Sequence, residues 1–477
     1  MKKLLMIKLL VLLFSNISFG QSLNINWQAC YGGSGSDDAD DLLELNNGYF
    51  ILGTADSDDG DISYNHGGDD VWLIKIDNIG NLVWEKTFGG SVGDGGHRIF
   101  NSTDNTYYLL AGAYSSDGDI SNDPYPESTD YWIVKIDSSG NILWDRIIGG
   151  NILDQLWTGT LTDDGGVVAL GWSGSEDGDV TEHFGAYDMW MVKLNSEGEK
   201  EWDFTIGTND FDYGQAIIQT SDWGFLVGGA STIGEGGNLT CVPHSYKPEA
   251  ILFKLDSLRN IEWQNCYGGS EDDGITGLLE IDDGYIFIGH TLSNDGDVSG
   301  HHGITGETGD IWVVKINFYG NIIWQKCLGG SRFEDGSKIL RTEDSGFIII
   351  GCTQSHDGDV IGNHTLSEYD HDIWVVKLSG EGDLLWQQCI GGIGNEIVDF
   401  GVIKKSDNNY VIAGQTDYGP SFDVECTPHA GNYPDFWVFE ITDTSTNIIN
   451  NTTNEKVIKV YPNPAKDYVV FKIKVKR

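Results

Sequence analysis

Five loops of the chain repeat the string Ser-x-Asp-Gly-Asp, whose oxygen-bearing side chains could together bind a metal ion. The aspartates of these loops are Asp59, Asp61, Asp117, Asp119, Asp177, Asp179, Asp295, Asp297, Asp357 and Asp359. Oxygen ligands at alternate positions can converge on a hard cation such as Ca²⁺. The competing interpretation is an Asp-Gly turn, in which the carboxylates accept hydrogen bonds from nearby backbone N–H groups. The pattern suggests calcium as the cofactor and leaves both interpretations open.

No arrangement typical of a catalytic centre stands out among the other reactive side chains. The sequence shows no Ser/His/Asp order, phosphate-binding loop or paired zinc motif. A glycosidase needs one defined pair of carboxylates, whereas the acids of this chain are spread over the repeats. The strand lysines also recur with the repeats, so we expect them to pair with carboxylates on neighbouring strands. The sequence therefore predicts a protein without catalytic activity.

The charge of the chain excludes some classes of partner. The 477 residues include 28 Lys and Arg against 73 Asp and Glu, a formal net charge of -45. Nucleic acids and anionic membranes are bound through cationic contacts, which such a surface lacks. We expect no nucleic-acid partner.

Residues 1–20 have the pattern of a secretory signal peptide. Lys2, Lys3 and Lys8 form a basic start, residues 4–14 are apolar, and Ser18-Phe19-Gly20 offers a small-residue cleavage site. The rest of the sequence has no membrane-spanning stretch. The protein is therefore predicted to be exported, so disulfides are permitted.

The elements that hold these loops are short strands in a repeat of about 60 residues. The stretch 310–330 alternates as a strand, turns at Gly320, and returns as a second strand that ends at Gly329-Gly330. Seven tryptophans, 57 to 62 residues apart, mark the returning strand: Trp27, Trp84, Trp144, Trp202, Trp263, Trp324 and Trp386. A second hairpin lies between successive copies. Four antiparallel strands per repeat predict an all-β propeller.

The two ends of the chain predict how the ring closes. The chain starts with a lone fourth-type strand over residues 24–30, and no such strand follows the last third-type strand over residues 436–442. The N-terminal strand can complete the last blade, which gives seven blades and leaves no unpaired edge at the closure.

This closure also predicts two disulfides. The end of a fourth strand lies beside the start of the third, which places Cys266 near Cys241 and, after closure, Cys30 near Cys426. The second bridge would lock the ring. Cys327, Cys352 and Cys389 have no matching loop cysteine and are expected to be small core residues.

The repeat resembles a known family. The pattern DxWxxKxDxxGNxxWxxxxGG, present over residues 70–90, 130–150 and 310–330, is similar to the bacterial repeat named for seven-bladed β-propellers. The resemblance covers residues 22–443 and departs at Glu249-Ala250-Ile251 and at Glu440. It implies a fold far more than an activity.

The C-terminal residues change in character. Residues 444–455 are polar and read as a linker, whereas residues 456–477 are basic and rich in strand-forming side chains. The run Tyr461-Pro462-Asn463-Pro464 resembles the start of the C-terminal sorting domain of the type IX secretion system. The resemblance implies a partial sorting domain over 456–477, the type IX machinery as a partner, and a secreted or outer cell-surface location.

Together these patterns predict domains at 1–20, 21–443, 444–455 and 456–477, and a non-catalytic binding or adhesion module with a glycan or protein ligand. The ligand site is expected at one end of the ring, in the loops that depart from the repeat: residues 123–130, 239–249, 300–309 and 421–435. The alternative from another class is an extracellular carbohydrate-active hydrolase or lyase with acidic residues at the channel mouth. A structural adhesin is a third interpretation.

Overall fold

A computed structural model of the chain describes residues 23–102, 104–232, 234–429, 433–444, 456–460 and 469–473. Within these residues, seven antiparallel sheets follow one another as blades of a closed ring, and no described residue lies in a helix. The predicted all-β, seven-bladed propeller is therefore confirmed. The predicted signal peptide, the linker and the motif Tyr461–Pro464 lie outside the described residues. No helix among the described residues is long and apolar enough to cross a membrane.

Six blades consist of four consecutive strands each. Blade 1 contains β2 (Asp37–Leu45), β3 (Gly48–Ala55), β4 (Asp70–Ile76) and β5 (Leu82–Phe88). Blade 2 contains β6 (Asp94–Asn101), β7 (Tyr107–Ala113), β8 (Asp130–Ile136) and β9 (Ile142–Ile148). Blade 3 contains β10 (Asp154–Leu161), β11 (Val167–Ser173), β12 (Asp188–Leu194) and β13 (Lys200–Ile206).

Blades 4 to 6 repeat the arrangement. Blade 4 contains β14 (Asp212–Gln219), β15 (Phe225–Ser231), β16 (Glu249–Leu255) and β17 (Ile261–Tyr267). Blade 5 contains β18 (Asp273–Ile281), β19 (Gly284–Thr291), β20 (Asp310–Ile316) and β21 (Ile322–Leu328). Blade 6 contains β22 (Glu334–Arg341), β23 (Phe347–Thr353), β24 (Asp372–Leu378) and β25 (Leu384–Ile390).

Blade 7 joins the two ends of the propeller. Its strands are β26 (Glu396–Ile397), β27 (Val402–Ser406), β28 (Asn409–Thr416), β29 (Asp435–Asp443) and β1 (Leu23–Tyr31). Strand β1 pairs antiparallel with β29, and its Trp27 lies opposite Glu440. The predicted closure by the N-terminal strand is confirmed. Two further strands, β30 (Lys456–Val460) and β31 (Val469–Ile473), pair with each other.

Both predicted disulfides are present. Cys30 is bonded to Cys426 and Cys241 to Cys266, with Cα atoms 5.7 and 5.5 Å apart. The three remaining cysteines, Cys327, Cys352 and Cys389, are buried free thiols, as expected.

The core lies between blades as well as within them. The third strand of every blade is buried on both faces, and six of these strands carry a fully buried tryptophan. Trp72 of blade 1 packs on Phe436 of blade 7 with ring centroids 4.5 Å apart, so the closing blade is held by core contacts. Such aromatic pairs add to the free energy gained by burying their surface.

Five of the six strand lysines pair with a carboxylate, mainly in a turn and not on the neighbouring strand that was expected, whereas Lys75 lies over the Phe50 ring. Lys315 and Lys377 each lie within 3 Å of a carboxylate, at 2.8 Å from Asp283 and 2.7 Å from Asp344. Both acids sit in the tight turn between the first and second strands of the same blade. Lys193 has one partner of each kind. Glu201 on the neighbouring fourth strand lies 3.3 Å from its Nζ, and Asp164 in a tight turn lies 3.0 Å away. These lysines are therefore structural.

The first strand of each blade is the innermost. These strands contact one another at six of the seven blade boundaries, and Ser337 of β22 donates to the carbonyl of Val398 at the seventh, so together they enclose the central channel. Each first strand begins after a loop that, in most blades, carries a Gly-Gly pair at the end of the preceding fourth strand. These Gly-Gly loops and the loops between the second and third strands lie at one end of the ring, which we name the loop end. The tight turns between the first and second strands and between the third and fourth strands lie at the other end, which we name the turn end. Side chains near the start of the first strands therefore line the channel at the loop end.

Candidate functional site

The Ser-x-Asp-Gly-Asp loops bind the backbone of the neighbouring Gly-Gly loop. Asp59 Oδ1 accepts a hydrogen bond from the N–H of Ser34 at 2.7 Å, and Ser57 Oγ accepts one from Gly35 at 2.8 Å. Asp117, Asp177, Asp295 and Asp357 accept the same bond at 2.7 to 2.9 Å. The glycine of each string has a positive φ of 65 to 70°. This is the geometry of the turn interpretation.

The second aspartate of four of the five strings faces a histidine of the preceding blade. His66 Nδ1 lies 2.8 Å from Asp70 of its own blade, while its Nε2 lies 3.4 Å from Asp119 of the next. Asp61, Asp297 and Asp359 are approached in the same way by His429, His244 and His302, at 3.6 to 3.8 Å. Asp179 has no such histidine, since blade 2 carries Ser128 hydrogen-bonded to Asp130 at the corresponding place. These histidines therefore link neighbouring blades, a role that sequence reasoning did not identify.

The ten loop aspartates thus have protein partners, and calcium binding stays an untested hypothesis. No group of three or more His, Cys, Asp or Glu side chains in the described ranges is arranged to hold a metal ion. Because the first aspartate of each loop already accepts a backbone hydrogen bond, we expect Ca²⁺ to leave the melting temperature of chelator-treated protein unchanged. Calorimetric titration with Mg²⁺ as the control would check this. Heat of binding with a concentration-dependent rise in melting temperature would favour the calcium interpretation.

Two buried carboxylates meet at each boundary between blades. Asp70 from a third strand and Asp94 from the next first strand flank Gly89, and a Cβ on Gly89 would lie 2.3 Å from Asp70 Oδ1 and 3.0 Å from Asp94 Oδ2. The first glycine of the Gly-Gly pair is therefore required by close approach. At two boundaries burial raises the pKa of the acid to about 8, for Asp130 and for Glu396, and the charge of the second carboxylate adds to the shift.

The channel is lined by a second set of side chains, and these do not repeat. In blades 1 to 6 the first strand has a register shift that leaves one residue without a partner across the pair. The bulge residues are Asp40, His97, Trp157, Gln215, Thr276 and Ser337; Asp399 takes this place in the break between β26 and β27. A bulge re-aims a side chain and often borders a functional site. Seven positions equivalent in the fold thus carry six residue types.

Aromatic side chains form one wall of the channel, on blades 3 and 4. The ring of Trp157 lies 6.1 Å from that of Trp172, which in turn lies 5.1 Å from Tyr213. Phe211 continues the series at 6.3 Å from Tyr213, and Tyr187 lies 5.6 Å further on. All five rings are partly exposed. We name these five residues the aromatic strip. It runs from the channel out across the loop end.

Carboxylates form the opposite wall, on blades 6, 7 and 1. Burial within the ring raises the pKa of Asp399 to about 6, and the charges of Asp335 and Asp38 add to the shift. The pKa of Asp40 lies well above its ordinary value because of burial and the charges of Asp399, Asp38 and Asp41. Asp38 and Asp335 take the second position of their first strands, while Asp40 and Asp399 take the bulge position, so the register places all four near the loop end of the inner strands. Asp38, Asp40, Asp335 and Asp399 are named the acid wall.

Between the two walls stands His97. Its Nδ1 lies 3.9 Å from Asp40 Oδ1, and its ring stacks on Trp157 with centroids 6.3 Å apart. Burial, with the charge of Arg98, lowers the pKa of His97 to about 4, so the imidazole is neutral at neutral pH. A neutral imidazole offers one donor and one acceptor to a ligand.

Sequence reasoning placed the ligand site in the irregular loops and found no grouping among the acids. The fold brings together four acids that lie up to 361 residues apart, from Asp38 to Asp399. The available signal was the bulge position together with the position two residues before it, because both vary from blade to blade while an acid repeats at the start of each first strand. Of the irregular loops, residues 123–130 border a shallow depression of about 200 Å³, lined by Tyr125, Pro126, Glu127, Ser128 and Asn151. That volume is small for a ligand pocket.

Comparison with known proteins assigns no family to the chain. No family model matches it, and no curated protein does. A solved polysaccharide lyase, Uly1, aligns over 89% of this chain and 93% of its own, at 12% identity and a TM-score of 0.43. The β-propeller domain of the Trilobed protease from Pyrococcus furiosus aligns over 88% and 99%, at 6% identity and a TM-score of 0.43. Phage phi92 endosialidase aligns over 96% and 75%, at 10% and 0.41. Similarity at this level carries no function to this chain.

Proposed function

We propose that this protein is a non-catalytic glycan-binding propeller, and that the glycan binds in the channel at the loop end. The observation that carries the proposal is the aromatic strip facing the acid wall across the channel. The aromatic side chains stand where other blades have small or polar residues: Trp157 replaces Thr276 and Ser337, and Tyr213 replaces Gly95 and Gly274. The fold therefore does not require them.

The two walls match the two kinds of surface that a sugar ring presents, its apolar C–H face and its hydroxyl groups. The C–H face of a pyranose ring packs on a partly exposed aromatic ring and buries apolar surface. Carboxylates accept hydrogen bonds from hydroxyl groups on the opposite side of the same ring. A few polar groups converging on an apolar surface is the usual composition of a ligand site. The negative net charge favours neutral glycans over anionic ones, since like charges repel.

Titration with a panel of neutral hexasaccharides tests the proposal. We expect one or more of maltohexaose, cellohexaose, laminarihexaose, mannohexaose and xylohexaose to bind in calorimetry and to change the tryptophan fluorescence. Trp157→Ala is expected to weaken that binding about 10- to 100-fold, because truncating a central aromatic contact costs about 2 kcal/mol or more.

Trp223→Ala is the matched control. Trp223 is a 59% exposed tryptophan in the turn between β14 and β15, at the turn end, so its loss should leave binding unchanged. Equal melting temperatures of the two variants would show that both remain folded. No binding across the panel, or equal effects of the two replacements, would contradict the proposed function.

The acid wall also favours a second candidate from a different class, a carbohydrate-active hydrolase or lyase. A carboxyl whose pKa lies near 6, such as that of Asp399, can donate a proton, and the neutral His97 can accept one. Turnover of a polysaccharide, lost in Asp399→Asn while binding is retained, would establish the enzyme. Binding without turnover supports the module.

Export and sorting by the type IX system remain part of the proposal. They rest on the sequence of residues 1–20 and on Tyr461–Pro464. The two disulfides are compatible with folding in an oxidising compartment. Retention of the protein inside cells after replacement of Pro462 and Pro464 by alanine would support sorting through this motif.

A further inference from the structure

On the turn-end side of the bulge residues, side chains extend across the channel. Arg98 of blade 2 donates through Nε to Asp41 of blade 1 at 2.9 Å and through Nη1 to Thr158 of blade 3 at 2.6 Å. Its guanidinium carbon lies 4.5 Å from the centre of the Phe400 ring of blade 7. One side chain therefore contacts residues of three other blades.

Arg98 is fixed in this position. Asp41, its ion-pair partner, is 4% exposed and also accepts a hydrogen bond from the N–H of Ile99 at 3.0 Å. The Phe100 ring covers the guanidinium from a second direction at 5.0 Å. A planar guanidinium held by a buried carboxylate and stacked on aromatic rings loses little further freedom when a ligand binds.

Lys338 completes this layer from blade 6. It follows the bulge residue Ser337, as Arg98 follows His97, and so stands at the same level of the channel. Burial and, to a smaller extent, the charge of Arg98 lower the pKa of Lys338 to about 8, while the charge of Asp41 opposes the shift. Among the described residues, no hydrogen bond or ion pair of its Nζ is found.

Neighbouring bulge residues join the inner segments of blades 5, 6 and 7 to one another at the level just above this layer. Ser337 Oγ donates to the carbonyl of Val398 at 2.6 Å, and Thr276 Oγ1 donates to the carbonyl of Gly336. The layer of Arg98, Lys338 and Phe400 is named the floor. From Asp38 to the floor the first strand advances three residues, about 10 Å, which is the length of roughly two sugar rings.

We infer that the channel is a closed-ended cup that receives one end of a glycan chain, so that the ligand class is chain termini rather than internal segments of a polymer. The inference rests on the proposed glycan binding. The floor prevents a chain from passing through the ring. Lys338, with free donors at the bottom of the cup, contacts the terminal sugar, while the aromatic strip supports the next rings, from Trp157 inside the channel outward across the loop end.

The test uses the full chain and the hexasaccharide of the panel that binds, in three forms: unmodified, blocked at the non-reducing end by a 4-O-benzyl ether, and blocked at the reducing end by a 4-nitrophenyl group. One blocked form is expected to bind at least tenfold more weakly than the unmodified chain, and the other within twofold. Along the series from mono- to hexasaccharide, affinity should rise up to about three rings and then stay level.

Two variants locate the terminus. Lys338→Met keeps the length of the side chain and removes its donors, so it should weaken binding by the same factor of about 5 to 10 for every length from the disaccharide upward. Phe211→Ala, at the outer part of the aromatic strip, should weaken binding of the longer chains only.

The outcomes separate the two proposals. Binding of both blocked forms within twofold of the unmodified chain, or affinity that keeps rising to the hexasaccharide, would overturn the closed-ended cup and leave glycan binding in place. No binding by any form would overturn both. Weak binding of one blocked form, with the length-independent loss in Lys338→Met, supports the inference.

Discussion

Replacing Cys30 and Cys426 by serine should lower the free energy of unfolding by about 2.5 kcal/mol more than the same change at Cys241 and Cys266. The two bridges have similar Cα separations but close loops of very different length, with sequence separations of 396 and 25. A cross-link stabilises mainly by restricting the unfolded chain, and 1.5RT ln(396/25) gives the difference of about 2.5 kcal/mol.

Chemical unfolding of the two double-serine variants measures the difference. The Cys241 and Cys266 variant is the matched control, because it removes the same chemical groups from the loop end of another blade. The closing bridge also holds β1 against blade 7, so its loss should make β1 the first strand to exchange its amide hydrogens. Equal destabilisation by the two pairs would contradict the idea that Cys30–Cys426 stabilises the protein by closing the ring.

Raising the pH from 6 to 8 should lower the melting temperature by several degrees. Burial raises the pKa of Asp130 and Glu396 to about 8 and that of Asp37, Asp212 and Asp273 to about 6. Between the unfolded and folded pKa values the folded chain holds protons that the unfolded chain has lost. Stability therefore falls as the pH rises through the folded pKa.

The boundary histidines change stability in the same direction. The hydrogen bond to Asp372 raises the pKa of His364 against the opposing effect of burial, and His302 and His429 are raised by their aspartates in spite of burial. A histidine whose pKa is raised by folding contributes to the free energy of unfolding. This contribution is fully present below the unfolded-state pKa near 6.5 and is lost as the pH rises through the folded-state pKa. A net charge of -45 adds general repulsion once the acids ionise.

Differential scanning calorimetry between pH 5.5 and 8.5 would check this prediction. The double variant Asp130→Asn, Glu396→Gln lacks the two titrations near pH 8, so its melting temperature should change less between pH 7 and 8.5. Lys315→Met, which removes a repeated strand ion pair, should shift the curve without changing its slope. A melting temperature that rises with pH above 6 would contradict the raised pKa values of the buried carboxyls at the blade boundaries.

Much of the fold follows from local pattern. The Trp27-to-Trp386 series and the Gly-Gly pairs predicted the strands, because side-chain alternation and turn residues act within one blade. The lone N-terminal strand predicted the closure by β1, and the closure in turn placed Cys30 beside Cys426. Residue order was sufficient there, since each conclusion requires only which strand pairs with which.

The Gly-Gly pairs were read from sequence as ends of strands, and their physical reason became visible only in three dimensions. Gly89 is required because Asp70 and Asp94, from different blades, approach it together. The same is true of the loop aspartates, whose partners are backbone amides and histidines of an adjacent blade. Repetition in sequence thus marked structural positions without stating what they contact.

The candidate site was decided by tertiary structure alone. The acid wall draws Asp38, Asp335 and Asp399 from both ends of the propeller, and closure of the ring is what makes blades 6, 7 and 1 neighbours. Arg98 reaches its partners only because β2, β10 and the segment between β26 and β27 come together around it. The sequence by itself determined the blades, their number and the bridges that join them, because these follow from periodic local interactions. The channel depended on the ring, because it is formed by single residues that differ from blade to blade and meet only at the common axis.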